Sequence, residues 1–373
     1  MKLVHIINGL GKGGAERLLV ETLPLLKKVG LEVEIVQITN RNAVPEYIAR
    51  LEAAGIVVHT LSNRNIYNPL NILSLKQFLK TRIFDVIHVH IFPAMYWTSL
   101  ALLFRNSGKV KIFTEHSTQN RRWGKMHFKL MDKCIYKKYD SIVAITEDVK
   151  NSLKNWQPTI SNRIEVIHNG INIATIKDVE KQERYHLLSG LRIDREDVIL
   201  LMMTARFDNP KDFKTPLKAL ALLPPNYILL LAGEGPQKRE MESFASQIGI
   251  ADRIIFLGFR NDVLSLMKSV DINILSSRYE GLSGVTLEAL CAGRPFLGSD
   301  VSGINNVVPD NRFLFNAGNE KNLADKITQI IASGQLQKTM IEDCVEYVKE
   351  WDISIMIQKH LDLYNRLLKG KLN

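Results

Sequence analysis

The chain is short of cysteine, of long apolar runs and, in one half, of acid. Its 373 residues include three cysteines, Cys134, Cys291 and Cys344, far apart, odd in number and without a CxxC. That excludes a disulfide framework and fits a reducing compartment. Cys134 and Cys291 fall inside helical patterns and read as core residues. No stretch approaches the roughly 18 apolar residues of a membrane-spanning helix. The opening MKLVHIINGLGKGG carries an apolar run too short and interrupted for a secretory signal, and reads as a first buried strand. No Asp-X-Asp triplet occurs, so the usual carboxylate bridge to a metal-bound diphosphate is missing and no metal or other cofactor is expected. Aromatic residues make up 8% and are not interleaved with the cations. With no helix-turn-helix or zinc motif either, nucleic-acid binding is the weaker reading of the basic charge.

What is present is ordinary in amount and uneven in placement. Hydrophobic residues at 46% and charged residues at 24% suit a soluble globular protein, and the length suits two domains. Residues 1–170 carry 24 Lys+Arg against 13 Asp+Glu, whereas residues 171–373 carry 25 against 26. The whole net charge of +10 therefore belongs to the N-terminal half, which is expected to meet an anionic partner.

Short Val/Ile/Leu-rich runs alternate with amphipathic patterns, as in parallel sheets built from βαβ units. Strands are expected at Leu3–Ile7, Glu32–Ile38, Val57–Leu61, Val86–His90, Lys111–Thr114, Ser141–Ala144 and Ile164–Ile167. A second series runs Val198–Met203, Ile228–Ala232, Ile254–Phe256, Ile272–Leu275 and Phe296–Leu297. Residues 172–195 are polar and weakly periodic and read as the linker. Near the end, Ile353, Met356, Ile357, Leu361, Tyr364 and Leu368 have helical spacing and predict an amphipathic helix that packs back on the first domain. The expectation is α/β: two doubly wound domains, 1–171 and 172–351, facing across a cleft, and a terminal helix over 352–373. Open sheets of this class bind ligands at the carboxyl ends of their strands.

Polar residues that follow strands are therefore the candidates. Arg206 and Lys211 in ARFDNPKD follow the strand ending near Met203, and each cation–phosphate contact is worth on the order of 4 kcal/mol before desolvation. Glu280 and Glu288 bracket EGLSGVTLE after the strand Ile272–Leu275. A helix starting near Ser283 would aim its free amides at a phosphate. Glu288, among Leu287, Ala289 and Leu290, needs partners such as diol hydroxyls. Two cations and two spaced carboxylates suit a nucleoside diphosphate sugar. In the first domain Gly13 and Gly14 allow close backbone approach to a phosphate or sugar, without forming a P-loop or a dinucleotide fingerprint. His116 follows the strand Lys111–Thr114. His88 and His90 share a strand face but lack a third metal ligand at convincing spacing, so each reads as a core or cleft histidine.

ARFDNPKD, LLLAGEGP, RIIFLGFRND and YEGLSGVTLEALCAGRPFLGSD, in that order, resemble the C-terminal motifs of family-4 glycosyltransferases with the GT-B fold. NGLGKGGAE, FTEHS and VIHNGIN resemble its N-terminal motifs. The resemblance spans nearly the whole chain and implies a retaining, metal-independent transferase of hexosyltransferase type. Its C-terminal domain would bind the nucleotide-sugar donor, with UDP favoured and GDP open, and its N-terminal domain the saccharide acceptor. By the same resemblance Arg206 and Lys211 hold the diphosphate, Glu288 the ribose and Glu280 the transferred sugar, within a donor loop of Leu282, Ser283, Gly284 and Val285. Gly13 and Gly14 lie near the donor phosphates, and His116 near the reacting carbon. Asn306 stands where the family often has glutamate, and Arg312 where glycine is common. Related GT-B activities, a nucleotide-sugar epimerase or a phosphorylase, are the alternative.

RRWGKMHFKLMDKCIYKK holds five Lys, two Arg and His127 against one acid. On a helix Arg122, Lys125, Lys129, Lys133 and Lys137 fall on one side, and Leu130, Met131, Cys134 and Ile135 on another, expected to be buried. The cationic side predicts docking on anionic lipid. A peripheral enzyme on the cytoplasmic face of the membrane, using a lipid-diphosphate-linked acceptor in surface-polysaccharide synthesis (O-antigen, capsule or exopolysaccharide), is the setting this implies.

Overall fold

A computed structural model describes residues 1–103, 110–118, 120, 122–193 and 197–372. The chain divides into two compact units: Met1–Gly170 together with Ile353–Asn373, and Ile171–Asp352. The first holds strands β1 (Lys2–Ile7), β2 (Glu32–Thr39), β3 (Val57–Ser62), β4 (Val86–His90), β5 (Val110–Glu115), β6 (Ser141–Ala144) and β7 (Ile164–Val166). Between them run α1 (Gly14–Lys28), α2 (Pro45–Ala53), α3 (Asn71–Lys80), α4 (Ala94–Ala101), α5 (Met126–Tyr136) and α6 (Glu147–Trp156). All strand pairs are parallel, in the order β3-β2-β1-β4-β5-β6-β7. The order reverses between β1 and β4, as in a doubly wound sheet. In this register His5 of β1 lies opposite His88 of β4, and His90 opposite Thr114 of β5.

The second unit opens with two short helices, α7 (Ile173–Asp178) and α8 (Arg184–Gly190). Its strands are β8 (Ile199–Thr204), β9 (Tyr227–Ala232), β10 (Ile254–Gly258), β11 (Ile272–Leu275), β12 (Phe296–Ser299) and β13 (Leu314–Phe315). They form a second parallel sheet, ordered β10-β9-β8-β11-β12-β13. Helices α9 (Lys214–Leu222), α10 (Lys238–Gln247), α11 (Val263–Ser269), α12 (Gly284–Cys291), α13 (Glu320–Ala332) and α14 (Gly334–Tyr347) complete it. The polar run 172–195 is thus not a plain linker. Ile173, Ile176, Leu187 and Leu188 are buried, on helices of six and seven residues too brief to show a period among so many charges. The two-residue β13 was also beyond sequence reading.

The final helix α15 (Ile353–Leu372) belongs to the first unit. Ile353, Met356, Ile357, Leu363 and Tyr364 join Leu3, Ile7, Leu23 and Val143 in one core, as the spacing of its apolar residues predicts. Cys134 is exposed, Cys291 half-buried and Cys344 buried, so the expectation of a core position fails for Cys134. Among the described residues no helix is long and apolar enough to cross a membrane.

Tyr364 is fully buried and its hydroxyl meets His88 Nδ1 at 2.7 Å. Tyr364→Ala should destabilise the first unit by about 3–5 kcal/mol, the usual loss for a buried aromatic. In denaturant titration this appears as an earlier midpoint at unchanged slope. A loss near zero would mean the helix is not part of the core.

Candidate functional site

The loop after β8 is held by apolar anchors and by glycines. Phe207 and Phe213 stack at 4.0 Å between ring centroids, and both are buried. A side chain on Gly233 would lie 1.9 Å from the Ala205 carbonyl oxygen, and one on Gly235 2.3 Å from that of Phe207. The AGEGP turn therefore needs glycine to press against the segment that carries Arg206. Arg206 itself points outward, its side chain 69% exposed, 3.4 Å from Asp208.

Lys211 bridges to Ser277 through the backbone, and its ammonium donates to Glu280 Oε1. Ser277 Oγ donates to the same oxygen at 2.6 Å. Lys211, Ser277 and Glu280 thus form one cluster, joining two loops 69 residues apart. The lysine keeps two N–H donors and Glu280 keeps Oε2 without a partner among the described residues. The neighbouring loop fixes this geometry: Glu280 N–H donates to Ser302 O and Ser283 N–H to Gly303 O. Gly303 has φ +81°, and a Cβ there would lie 2.7 Å from the Glu280 backbone.

Ser283 caps α12 by accepting from the Thr286 amide, and Gly284 and Val285 form the first turn. Their amides cannot bond within the helix. Leu282 and Val285 pack against core residues. Glu288 is 7% exposed on α12, buried beside Leu287, Ala289 and Leu290. Of the two departures, Arg312 binds Asp310 and Asp343 at 2.5 and 2.7 Å, a structural tie of α14. Asn306 receives the Tyr347 hydroxyl on its carbonyl.

In the first unit Gly13 caps α1 and Gly14 begins it. The Glu16 carboxylate folds back so closely that a Cβ on Gly13 would lie 2.2 Å from Oε2. Burial pushes Glu16 up to about 7. This perturbed acid beside the glycine loop is a candidate that sequence reading missed; its only signal was GGAE itself.

His116, just past β5 and part-exposed, joins the buried imidazoles of His5, His88 and His90. Its Nε2 lies 3.3 Å from His90 Nδ1, and His90 Nε2 lies 2.9 Å from His5 Nδ1. His88 meets Tyr364 Oη and Thr114 Oγ1, each at 2.7 Å. Together with His360 these rings line a pocket under α1 and α15. The third histidine that His88 and His90 seemed to lack is His5: one nitrogen from each lies within 4.8 Å of the others. It sits 83 residues upstream of His88, and only strand pairing brings it near. Burial lowers His5 to about 3 and His116 and His360 to about 4, with a further push from His360 on the first two. Burial and their neighbouring rings hold His88 and His90 well below 6.5.

The basic segment departs from expectation. Arg122 is buried, 2.7 Å from Asp132 and 3.5 Å from Glu115, and is not on an outward cationic face. Its guanidinium also lies over the Phe92 ring at 4.6 Å. Asp132, Ile135 and Tyr136 form the inner stripe of α5, while Met126, Leu130 and Met131 are exposed. Lys125, Lys129, Lys133 and Lys137 are exposed with them.

Two family profiles divide the chain between them. Glycosyltransferase Family 4 matches residues 12–175 and Glycosyl transferases group 1 matches 191–346. EpsD of Bacillus subtilis, named as a glycosyltransferase, is 25% identical, covering 81% of this chain and 82% of its own. A Campylobacter jejuni protein is 22% identical over 94% of this chain and 96% of its own. It is named N-acetylgalactosamine-N,N'-diacetylbacillosaminyl-diphospho-undecaprenol 4-alpha-N-acetylgalactosaminyltransferase. Anabaena HepE, solved with UDP-glucose, superposes with TM-score 0.83 at 18% identity, covering 98% of this chain and 100% of its own. At that identity the likeness shows the fold.

The imidazole group gives a pH prediction. Unfolded, each ring takes a proton near 6.5; folded, His5, His116 and His360 do so only near 3 to 4. Between those values the unfolded chain binds more protons, so stability falls as pH drops through that window, by about 1.4 kcal/mol per pH unit for each ring. Melting temperature should stay level above the window and decline steadily within it. His360→Gln should remove about one ring's share of the slope. A wild-type profile without that decline would show the rings to be hydrated.

Proposed function

We propose that this chain, a GT-B-fold glycosyltransferase related to bacterial polysaccharide-biosynthesis enzymes, moves a sugar from a nucleoside diphosphate to a saccharide hydroxyl with retention of configuration. The observation that carries the reading is the cluster of Lys211, Ser277 and Glu280, with the exposed Arg206 on the same loop as Lys211. Lys211 is held in place by its ion pair with Glu280 and still has two donors for a phosphate. Glu280 Oε2 remains to accept from a sugar hydroxyl. Arg206 supplies the second cation, the first amides of α12 add donors, and Glu288 accepts from the ribose. UDP is the favoured base carrier, supported by the nucleotide of Anabaena HepE; a GDP-sugar is the second choice.

In the transfer the bond from the anomeric carbon to the diphosphate oxygen breaks while the acceptor oxygen bonds to that carbon on the same face. The acceptor proton passes to the departing phosphate oxygen. Arg206 and Lys211 stabilise the charge that grows there, so neither a protein nucleophile nor a metal ion is needed. Glu280 orients the sugar, His116 binds near the reacting carbon, and Gly13 and Gly14 let the backbone close on the donor.

The acceptor is proposed to be lipid-diphosphate-linked and reached at the cytoplasmic face of the membrane, as the name of the Campylobacter relative suggests. The outward face of α5 supports this, since its lysines alternate with exposed Met126, Leu130 and Met131. Lysines draw the helix to anionic lipid and the apolar side chains enter it.

Arg206→Ala should lower kcat/KM by roughly a hundredfold or more while leaving the melting temperature unchanged. Undiminished turnover would remove Arg206 from the mechanism. A thermal-shift panel of nucleotide sugars identifies the donor: at 100 times its dissociation constant it adds about 2.7 kcal/mol. For the membrane, wild type should co-sediment with anionic vesicles at low salt, and Lys129→Glu with Lys133→Glu should abolish this. Recovery of wild type in the supernatant would end the lipid assignment.

A further inference from the structure

His116, His90 and His5 form a chain of imidazoles that runs from a part-exposed ring to an unpartnered nitrogen in the interior. The contacts are His116 Nε2 to His90 Nδ1 at 3.3 Å and His90 Nε2 to His5 Nδ1 at 2.9 Å. His5 Nε2 is buried without a hydrogen-bond partner, and His116 Nδ1 has none among the described residues.

A metal ion would accept the spacing of His5, His88 and His90, but the hydrogen bonds favour another use. Both nitrogens of His88 are occupied by hydroxyls and both of His90 by imidazoles. Only His5 Nε2 has an uncommitted position. The set is closed on itself rather than open to an ion.

A neutral imidazole has one N–H and one lone pair. His90 must therefore donate at one end and accept at the other, so the proton positions in the three rings are coupled. Two polarities exist. In one, His116 Nε2–H donates inward and the chain ends in a buried N–H on His5 with no acceptor. In the other, His5 Nδ1–H donates to His90, His90 Nδ1–H donates to His116 Nε2, and the proton of His116 sits on Nδ1. The second leaves a bare lone pair inside instead of an orphaned N–H, which is the rarer defect in folded proteins.

We infer that His5 and His90 are positioning residues that hold His116 as the neutral tautomer protonated on Nδ1, so that His116 donates a hydrogen bond to the sugar of the donor and takes no proton during transfer. The part concerning the sugar rests on the proposed function; the tautomer does not. A neutral imidazole donor leaves the acceptor proton to the departing phosphate oxygen, in keeping with the reaction written above. The titratable groups facing the chain are His88 on β4, His360 and Tyr364 on α15, and the buried Glu115 of β5, whose carboxylate accepts from the His116 backbone amide at 3.2 Å. From α1 the pocket receives only Ala15, Thr22 and apolar side chains, and among the described residues no carboxylate lines it.

The test is long-range proton–nitrogen NMR on the full chain labelled with 15N-histidine, which reads each ring's tautomer directly. The expected spectrum has His116, His90 and His5 all protonated on Nδ1, unchanged from about pH 8 down to about pH 5.5. A His116 ring protonated on Nε2, or charged in that range, overturns the inference. So does a stoichiometric zinc ion retained through dialysis, found by mass spectrometry, because the rings would then be a ligand set.

Activity gives a second readout. His90→Phe cuts the chain and leaves nothing to fix the His116 proton on Nδ1, so kcat should fall by roughly tenfold or more and the NMR should show His116 protonated on Nε2 or as a mixture of tautomers. His90→Gln, which can still donate and accept, should restore both kcat and the Nδ1 tautomer. A His90→Phe enzyme with wild-type kcat and His116 still protonated on Nδ1 overturns the positioning role. The expected tautomers in a chain that transfers no sugar would sink the functional reading and support the tautomer assignment.

Discussion

Desolvation of charge is the constraint on which the arrangement of polar groups in this protein depends. An ionised group removed from water must be paired or lose its charge, and each buried cluster follows one of those routes. Arg122 is paired with Asp132 and Glu115; Lys211 is paired with Glu280. The imidazoles under α15 take the other route and stay neutral, and so does Glu16 for part of the time near neutrality. The two routes suit different tasks. A pair keeps its charges ready for a charged ligand. A neutral ring keeps a donor and an acceptor and carries no electrostatic preference of its own.

In the proposed diphosphate site the Lys211–Glu280 pair stands in place before any ligand arrives. Glu280, tied to Ser277 and to the Ser302–Gly303 backbone, fixes where the Lys211 ammonium stands. Binding then requires little rearrangement, which is the condition for electrostatic stabilisation to act fully as charge develops. Glycines at 233, 235 and 303 serve the same end, since each admits a backbone contact that a Cβ would block.

Much of this was legible from the sequence. Parallel strands buried on both faces read as continuous Val/Ile/Leu runs, and twelve expected strands reappear within a residue or two of their ends. The loops after β8 and β11 were found because chemistry at a strand's carboxyl end stands out against such runs. What could not be read is what depends on distant residues meeting. His5 looks like one polar residue in an apolar strand until β1 pairs with β4. The expectation of no third ligand beside His88 and His90 failed for that reason. Nothing in the sequence marks Glu16, in the first turn of α1, as buried. The helices at 173–178 and 184–190 were too short to register.

The basic segment faces differently from its sequence pattern for a physical reason. The pattern puts Arg122 on the cationic side and a stripe of Leu130, Met131, Cys134 and Ile135 inside, and of these Ile135 is buried while Arg122 is not on the outer face. The structure turns the helix the other way. Asp132 goes in because Arg122, ten residues earlier, and the Tyr96 hydroxyl and Trp156 indole close on it. Burying that carboxylate leaves lysines and three large apolar side chains on the outside together. A purely cationic face would hover over anionic lipid and leave it with rising salt; a face that also inserts methionine and leucine gains the apolar term, which salt does not screen. In the proposed membrane contact Arg122 acts indirectly, as the buried counter-charge that fixes which way α5 faces.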